Sequence, residues 1–224
     1  MFVFILEFAK KMPGRANVIE NLPFTIDETR VLREMRVSRI RTLDEMEERP
    51  LAEAIRKTIA KAYTLIHGRG VYLTIELSRT GAGADVTAPG APGLFSGADM
   101  AGLLGGCPRA TLLAVTIGGE LEVEVERLDK AGDITEAYLL EMVGGWMADY
   151  MADRLDERIE KEIARAGFDR TMRFSPGYGD WPLERQPALI KLVEAERIGI
   201  SLTETNIMVP RKSVSAVIGW KGKV

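Results

Sequence analysis

The chain has 224 residues, 46% hydrophobic and 28% charged, enough to bury the core of one domain and without the bias of a fibre, a disordered tail or a disulfide scaffold. Thirty Lys and Arg against 33 Asp and Glu give a net charge of −3 and no concentrated basic stripe, so nucleic acid is not an expected partner. Cys107 is the only cysteine and His67 the only histidine, which excludes an intrachain disulfide and a Cys/His metal cluster and leaves a cytoplasmic setting as the expectation.

Residues 1–9 are apolar but far shorter than a membrane span, and no charged n-region precedes them; they read as a buried or adventitious segment, with no membrane partner. Helical spacing follows over 26–35 and again over 43–66, where Leu51, Ala54, Ile55, Ile59 and Tyr63 share a face. Gly68 and Gly70 break that pattern, and alternation over 71–77 predicts a strand. Residues 78–93, rich in Gly, Ala and Pro, read as a long surface loop. Gly81 and Gly83 lack the third glycine and following helix of a nucleotide-binding turn.

Ser96 is the expected N-cap of a short helix through Leu104, with Cys107 as a small apolar residue in the turn after it. The continuous apolar run 110–117 predicts a buried strand, and the acidic alternation over 120–126 a solvated helical face rather than a cation site. The longest element is a helix from Asp133 to about Ala166, with Tyr138, Met142, Trp146, Tyr150, Leu155, Ile159 and Ile163 on its apolar face. Gly144 and Gly145 inside it imply close packing against a neighbour, since each costs about 1 kcal/mol against alanine. A short strand near Met172, a turn over 175–180, a helix over 182–197 and strands around 200–202 and 214–220 complete the chain, with 210–212 as a turn.

Two stretches carry a resemblance. Arg173-Phe174-Ser175-Pro176-Gly177-Tyr178 is similar to the Arg-x-x-x-Gly-Tyr signature of the S-adenosylmethionine-binding reactivation domain of cobalamin-dependent methionine synthase. Gly199-Ile200-Ser201-Leu202-Thr203-Glu204, Met208-Val209-Pro210 and Ser213-Val214-Ser215 follow in that family's order. Upstream, Leu113-Ala114-Val115-Thr116-Ile117-Gly118-Gly119 and the long helix with Ala152-Asp153-Arg154-Leu155 resemble the turn and helix preceding the signature. The likeness is clearest over 107–220, and residues 1–106 are compatible with a helical amino-terminal part of one activation-domain-like unit spanning 1–224.

The resemblance implies an α+β fold with a curved, mainly antiparallel sheet flanked by helices. It implies a stand-alone module that binds S-adenosylmethionine and supports reductive methylation of cob(II)alamin on a separate cobalamin-dependent methionine synthase, with an electron donor such as flavodoxin or ferredoxin. The cobalamin-ligand pattern Asp-x-His-x-x-Gly is absent, because Leu65 stands two positions before His67, so cobalamin is expected on a partner. Arg173 suits the ligand carboxylate, Tyr178 an aromatic wall, and Ser175 and Gly177 close backbone approach, while Asp149 aligns with a glutamate that meets the ligand ammonium. No catalytic residue or metal is expected, because methyl transfer from a sulfonium needs orientation rather than a base. No counterpart is expected for the family's carboxy-terminal extension with its tyrosine, and the family's amino-terminal acidic ligand is not identifiable in the sequence. The alternatives are a reactivator of another corrinoid methyltransferase and a scaffold that kept the fold without the ligand.

Overall fold

The structure, a computed structural model, describes residues 14–37, 40–80, 85–88 and 90–223. The amino-terminal apolar segment and Gly81 to Gly83 lie outside the described residues. Five strands form the central sheet: β1 (Asn17–Ile19), β2 (Arg69–Glu76), β5 (Arg109–Thr116), β6 (Phe168–Arg170) and β9 (Ser213–Gly222). Their order is β1-β2-β5-β9-β6, every pair is antiparallel, and helices cover both faces. This is the α+β antiparallel arrangement that the resemblance implied. Two small hairpins, β3 (Ser78–Thr80) with β4 (Asp85–Thr87) and β7 (Ser201–Leu202) with β8 (Met208–Val209), stand beside it.

The apolar run of β5 is continuous because both of its faces are covered. Leu113 and Val115 face the layer built from α1 (Glu28–Glu34), α2 (Arg49–Leu65), α4 (Glu120–Ala131) and α5 (Ile134–Arg165). Ala110, Leu112 and Ala114 face the other layer, built around α3 (Ala98–Leu104), Trp181 and α6 (Gln186–Leu192). The buried Thr111 hydroxyl is satisfied by Trp220, whose indole N–H donates to it at 2.8 Å, and by Thr74 at 2.8 Å.

Helix α5 lies close to its neighbours where its residues are small. A Cβ on Gly144 would stand 2.6 Å from Leu121 Cδ2 of α4, so the close packing expected of this glycine is what the structure has, whereas a Cβ on Gly145 would meet only Lys212 Nζ, at an ordinary contact distance of 3.7 Å, so the close packing expected there is not found. The apolar face departs from the expected one by about one position. Ala137, Leu140, Val143, Met147 and Met151 are buried, and Tyr138 is 64% exposed. The cause is bulk: alanine and glycine allow α5 onto the sheet, and the aromatics move to its flank, where Arg30 covers Trp146 and Arg154 covers Tyr150. Leu155, Ile159 and Ile163 are buried as expected.

Other boundaries move for local reasons. The helix expected over 43–66 divides into a 3₁₀ turn, Leu43–Glu45, and α2, because Pro50 lacks an N–H and belongs in a first turn. The loop expected over 78–93 contains the β3/β4 hairpin. The N-cap of α3 is Gly97 rather than Ser96, and its first N–H groups, of Ala98 and Asp99, donate to Asp180, 82 and 81 positions away. The strand expected near Met172 is β6, and Met172 itself is 69% exposed. The helix expected over 182–197 is interrupted by Glu194, whose φ is +56°. Cys107 is buried, as expected of a small apolar residue in a turn.

The acidic face of α4 is used rather than merely solvated. Glu122 accepts from the Lys212 backbone N–H at 2.7 Å, and Glu124 accepts from Arg127 Nε at 2.8 Å and Lys61 Nζ at 2.9 Å. Lys61 also pairs with Glu136, so one lysine of α2 ties α4 to α5. These bonds, Arg127 first and Lys61 second, lower the Glu124 pKa from 4.5 to about 2. A carboxylate whose pKa is depressed by folding contributes stability that is present above the unfolded value and lost as pH falls through the folded one. Wild-type protein is therefore expected to lose more urea resistance between pH 5 and pH 2 than Glu124→Gln does; equal losses in the two proteins would contradict this.

Candidate functional site

The Arg173–Tyr178 segment is anchored at both ends. After β6 the chain returns to β9 through a two-way bridge: Phe174 N–H donates to Val217 O at 3.0 Å, and Val217 N–H to Phe174 O at 2.8 Å. The turn then closes on itself. Gly177 N–H donates to Trp181 O at 2.8 Å, Tyr178 N–H to Ser175 O at 3.3 Å, and Trp181 N–H to Tyr178 O at 3.1 Å. Gly177 has φ +92°, a conformation that disfavours any side chain, and Trp181 is fully buried with its indole N–H on Leu94 O at 2.8 Å.

Under this turn lies a cleft of about 440 Å³, within the range of small-molecule sites. Asp149, Arg173, Ser175 and Tyr178 line it together, although Asp149 comes from α5 and the others from the turn. Gly177 shapes the turn without lining the cleft. The cleft also takes in Gln186, Met208, Ser213 and Ser215, which the sequence reading did not place in a site. Ser213 and Ser215 belong to one of the family-like stretches, and their alternation on a strand was the available signal. Gln186 carried none.

Arg173 is drawn to α5 by carboxylates one helical face apart. Its Nη1 donates to Asp153 Oδ1 at 3.1 Å rather than to Asp149. Asp153 follows Asp149 by four residues and precedes Asp156 by three, so the three project from one side of α5. Arg170 grips Asp156 with two bonds, at 3.1 and 3.0 Å. Burial raises the pKa of Asp149 and the nearby Arg173 charge opposes that rise; Asp156 is raised by burial and opposed by Arg170 in the same way. The cleft thus presents a guanidinium, a carboxylate within its field, two β9 hydroxyls and an aromatic ring, a set matched to a zwitterion with an apolar body. Among the described residues no group of three or more His, Cys, Asp and Glu is arranged to hold a metal, and no helix is long and apolar enough to cross a membrane.

Comparison with known proteins places the fold and the family. A crystal structure of the MetH reactivation domain bound to AdoHcy matches with a TM-score of 0.65 over 95% of this chain and 81% of that one, at 19% sequence identity, which establishes a shared fold. The family model for the activation domain of vitamin B12-dependent methionine synthase matches residues 105–223, a span that holds β5, α5, the Arg173 turn and β9. With more than half of its length in that match, the chain belongs to the vitamin B12-dependent methionine synthase activation domain family.

Proposed function

We propose that the chain binds S-adenosylmethionine in the cleft beneath the Arg173 turn and supports reductive methylation of cob(II)alamin carried by a separate cobalamin-dependent methionine synthase. The observation that carries this reading is the convergence of Asp149, Arg173, Ser175 and Tyr178 on one cleft. The planar fork of Arg173 matches the methionyl carboxylate, and Asp149 faces the ammonium. Tyr178 offers a ring to the sulfonium, and the Gly177 conformation lets backbone approach without side-chain bulk.

S-adenosylmethionine supplies an electrophilic methyl group, and this chain's residues hold it in orientation, which is the main requirement of such a transfer. Met172 and Tyr178 line the cleft yet are 69% and 67% exposed, so its mouth opens at the surface, as delivery to a cofactor on another polypeptide requires. The electron needed for cob(II)alamin comes from a donor of the flavodoxin or ferredoxin class, and the setting is cytoplasmic. Calorimetric titration with S-adenosylmethionine and S-adenosylhomocysteine tests the cleft: saturable binding of both is expected, and no heat up to millimolar ligand would sink the reading.

A further inference from the structure

The cleft wall that carries Met208 is the β7/β8 hairpin, and that hairpin is slight. Its ladder pairs Ser201 with Val209 and Leu202 with Met208, and among the described residues it pairs with no other strand. Two such pairs alone do not hold a hairpin in water, and Leu202 and Met208 add only partly buried contacts with the core around Trp181. Its tip is closed locally: Thr203 N–H donates to Ile207 O at 2.9 Å, Ile207 N–H to Thr203 Oγ1 at 3.0 Å, and Asn206 adopts φ +64°.

Gln186, at the start of α6 and only 4% exposed, joins this tip to the central sheet. Its Nε2 donates to Asn206 O at 2.6 Å, and its Oε1 accepts from Ser215 Oγ of β9 at 3.0 Å. Ser215 is itself 2% exposed, and Gln186, Ser215 and Met208 all line the cleft. A carboxamide can accept from a hydroxyl and donate to a carbonyl at once, whereas an ionised glutamate offers only acceptors and a methionine neither bond.

We infer that Gln186 is a positioning residue that latches the β7/β8 hairpin, and with it Met208, over the ligand cleft, and so sets affinity for the S-adenosyl ligand. The inference rests on the cleft assignment proposed above. The test combines amide hydrogen exchange of the free protein with calorimetric titration of S-adenosylmethionine, on wild type, Gln186→Met, Gln186→Glu and Ser215→Ala. Exchange over 201–209 is expected to rise about ten-fold or more in both Gln186 variants, and less in Ser215→Ala, which keeps the Asn206 bond. The centres of β5 and β9 should stay protected, and affinity should fall about ten-fold in the same order.

Unchanged exchange over 201–209 in folded Gln186 variants overturns the latch, and raised exchange with unchanged affinity overturns its role in binding. Should Gln186→Met fail to fold, Gln186→Glu and Ser215→Ala decide the matter. A wild-type protein that binds no ligand overturns the cleft assignment instead, and the exchange comparison then still decides whether Gln186 holds the hairpin.

Discussion

Arg173→Ala is expected to weaken S-adenosylmethionine binding roughly 10- to 100-fold, the loss of about 1.5–3 kcal/mol that attends removal of a charge-assisted hydrogen bond. Stability should barely change. Among the described residues Arg173 pairs with Asp153, 64% exposed at its side chain, and pairs of that kind contribute about 0–1 kcal/mol. The two effects therefore separate: a melting temperature near that of wild type with affinity lost. Removing Arg173 also removes the charge that opposes the burial-driven rise of the Asp149 pKa, so the ammonium side of the site weakens with the carboxylate side. Asp153→Asn supplies the counter-test, because it frees the guanidinium from its present partner and should leave affinity equal or higher. Unchanged affinity in Arg173→Ala would remove Arg173 from the site.

What could be read from the sequence was whatever is local along the chain. The β5 run, the extent of α5 and the need for small atoms at Gly144 all follow from neighbours in sequence. The motif from Arg173 to Tyr178 is likewise contiguous, and the site residues read from it, Arg173, Ser175 and Tyr178, line the cleft together with Asp149. What escaped depends on contacts between distant segments. Asp180 caps α3 from across the fold, so Ser96, the better N-cap by type, is free to accept from Arg185 Nε at 3.1 Å. The α5 face shifted because alanine and glycine count little in a hydrophobic pattern but decide how near a helix can lie. Gln186 looked like an ordinary helical polar residue, and only the meeting of α6 with β9 and the hairpin tip gives it a role.

Trp181→Ala is expected to be the most destabilising single change near the site, by about 3–5 kcal/mol, the usual cost of emptying a large aromatic from a core. Trp181 is fully buried, its ring stacks on Phe174 at 6.2 Å and tilts against Phe95 at 6.2 Å, and its indole N–H is held by Leu94 O. Alanine would leave a cavity beside Phe95 and Phe174 and the Leu94 carbonyl without its donor. For a domain of this size the melting temperature should fall by roughly 6–20 °C. Trp181→Phe separates the two contributions, since it keeps a ring against Phe174 but loses the bond to Leu94, a loss of about 1–3 kcal/mol. Binding should suffer with stability here, unlike at Arg173, because Phe174 lies between Arg173 and Ser175 and is held from one side by β9 and from the other by Trp181. A Trp181→Ala protein that melts within about 2 °C of wild type and still binds S-adenosylmethionine would show that the β9 bridge alone fixes the turn, and that the tryptophan fills space without supporting the site.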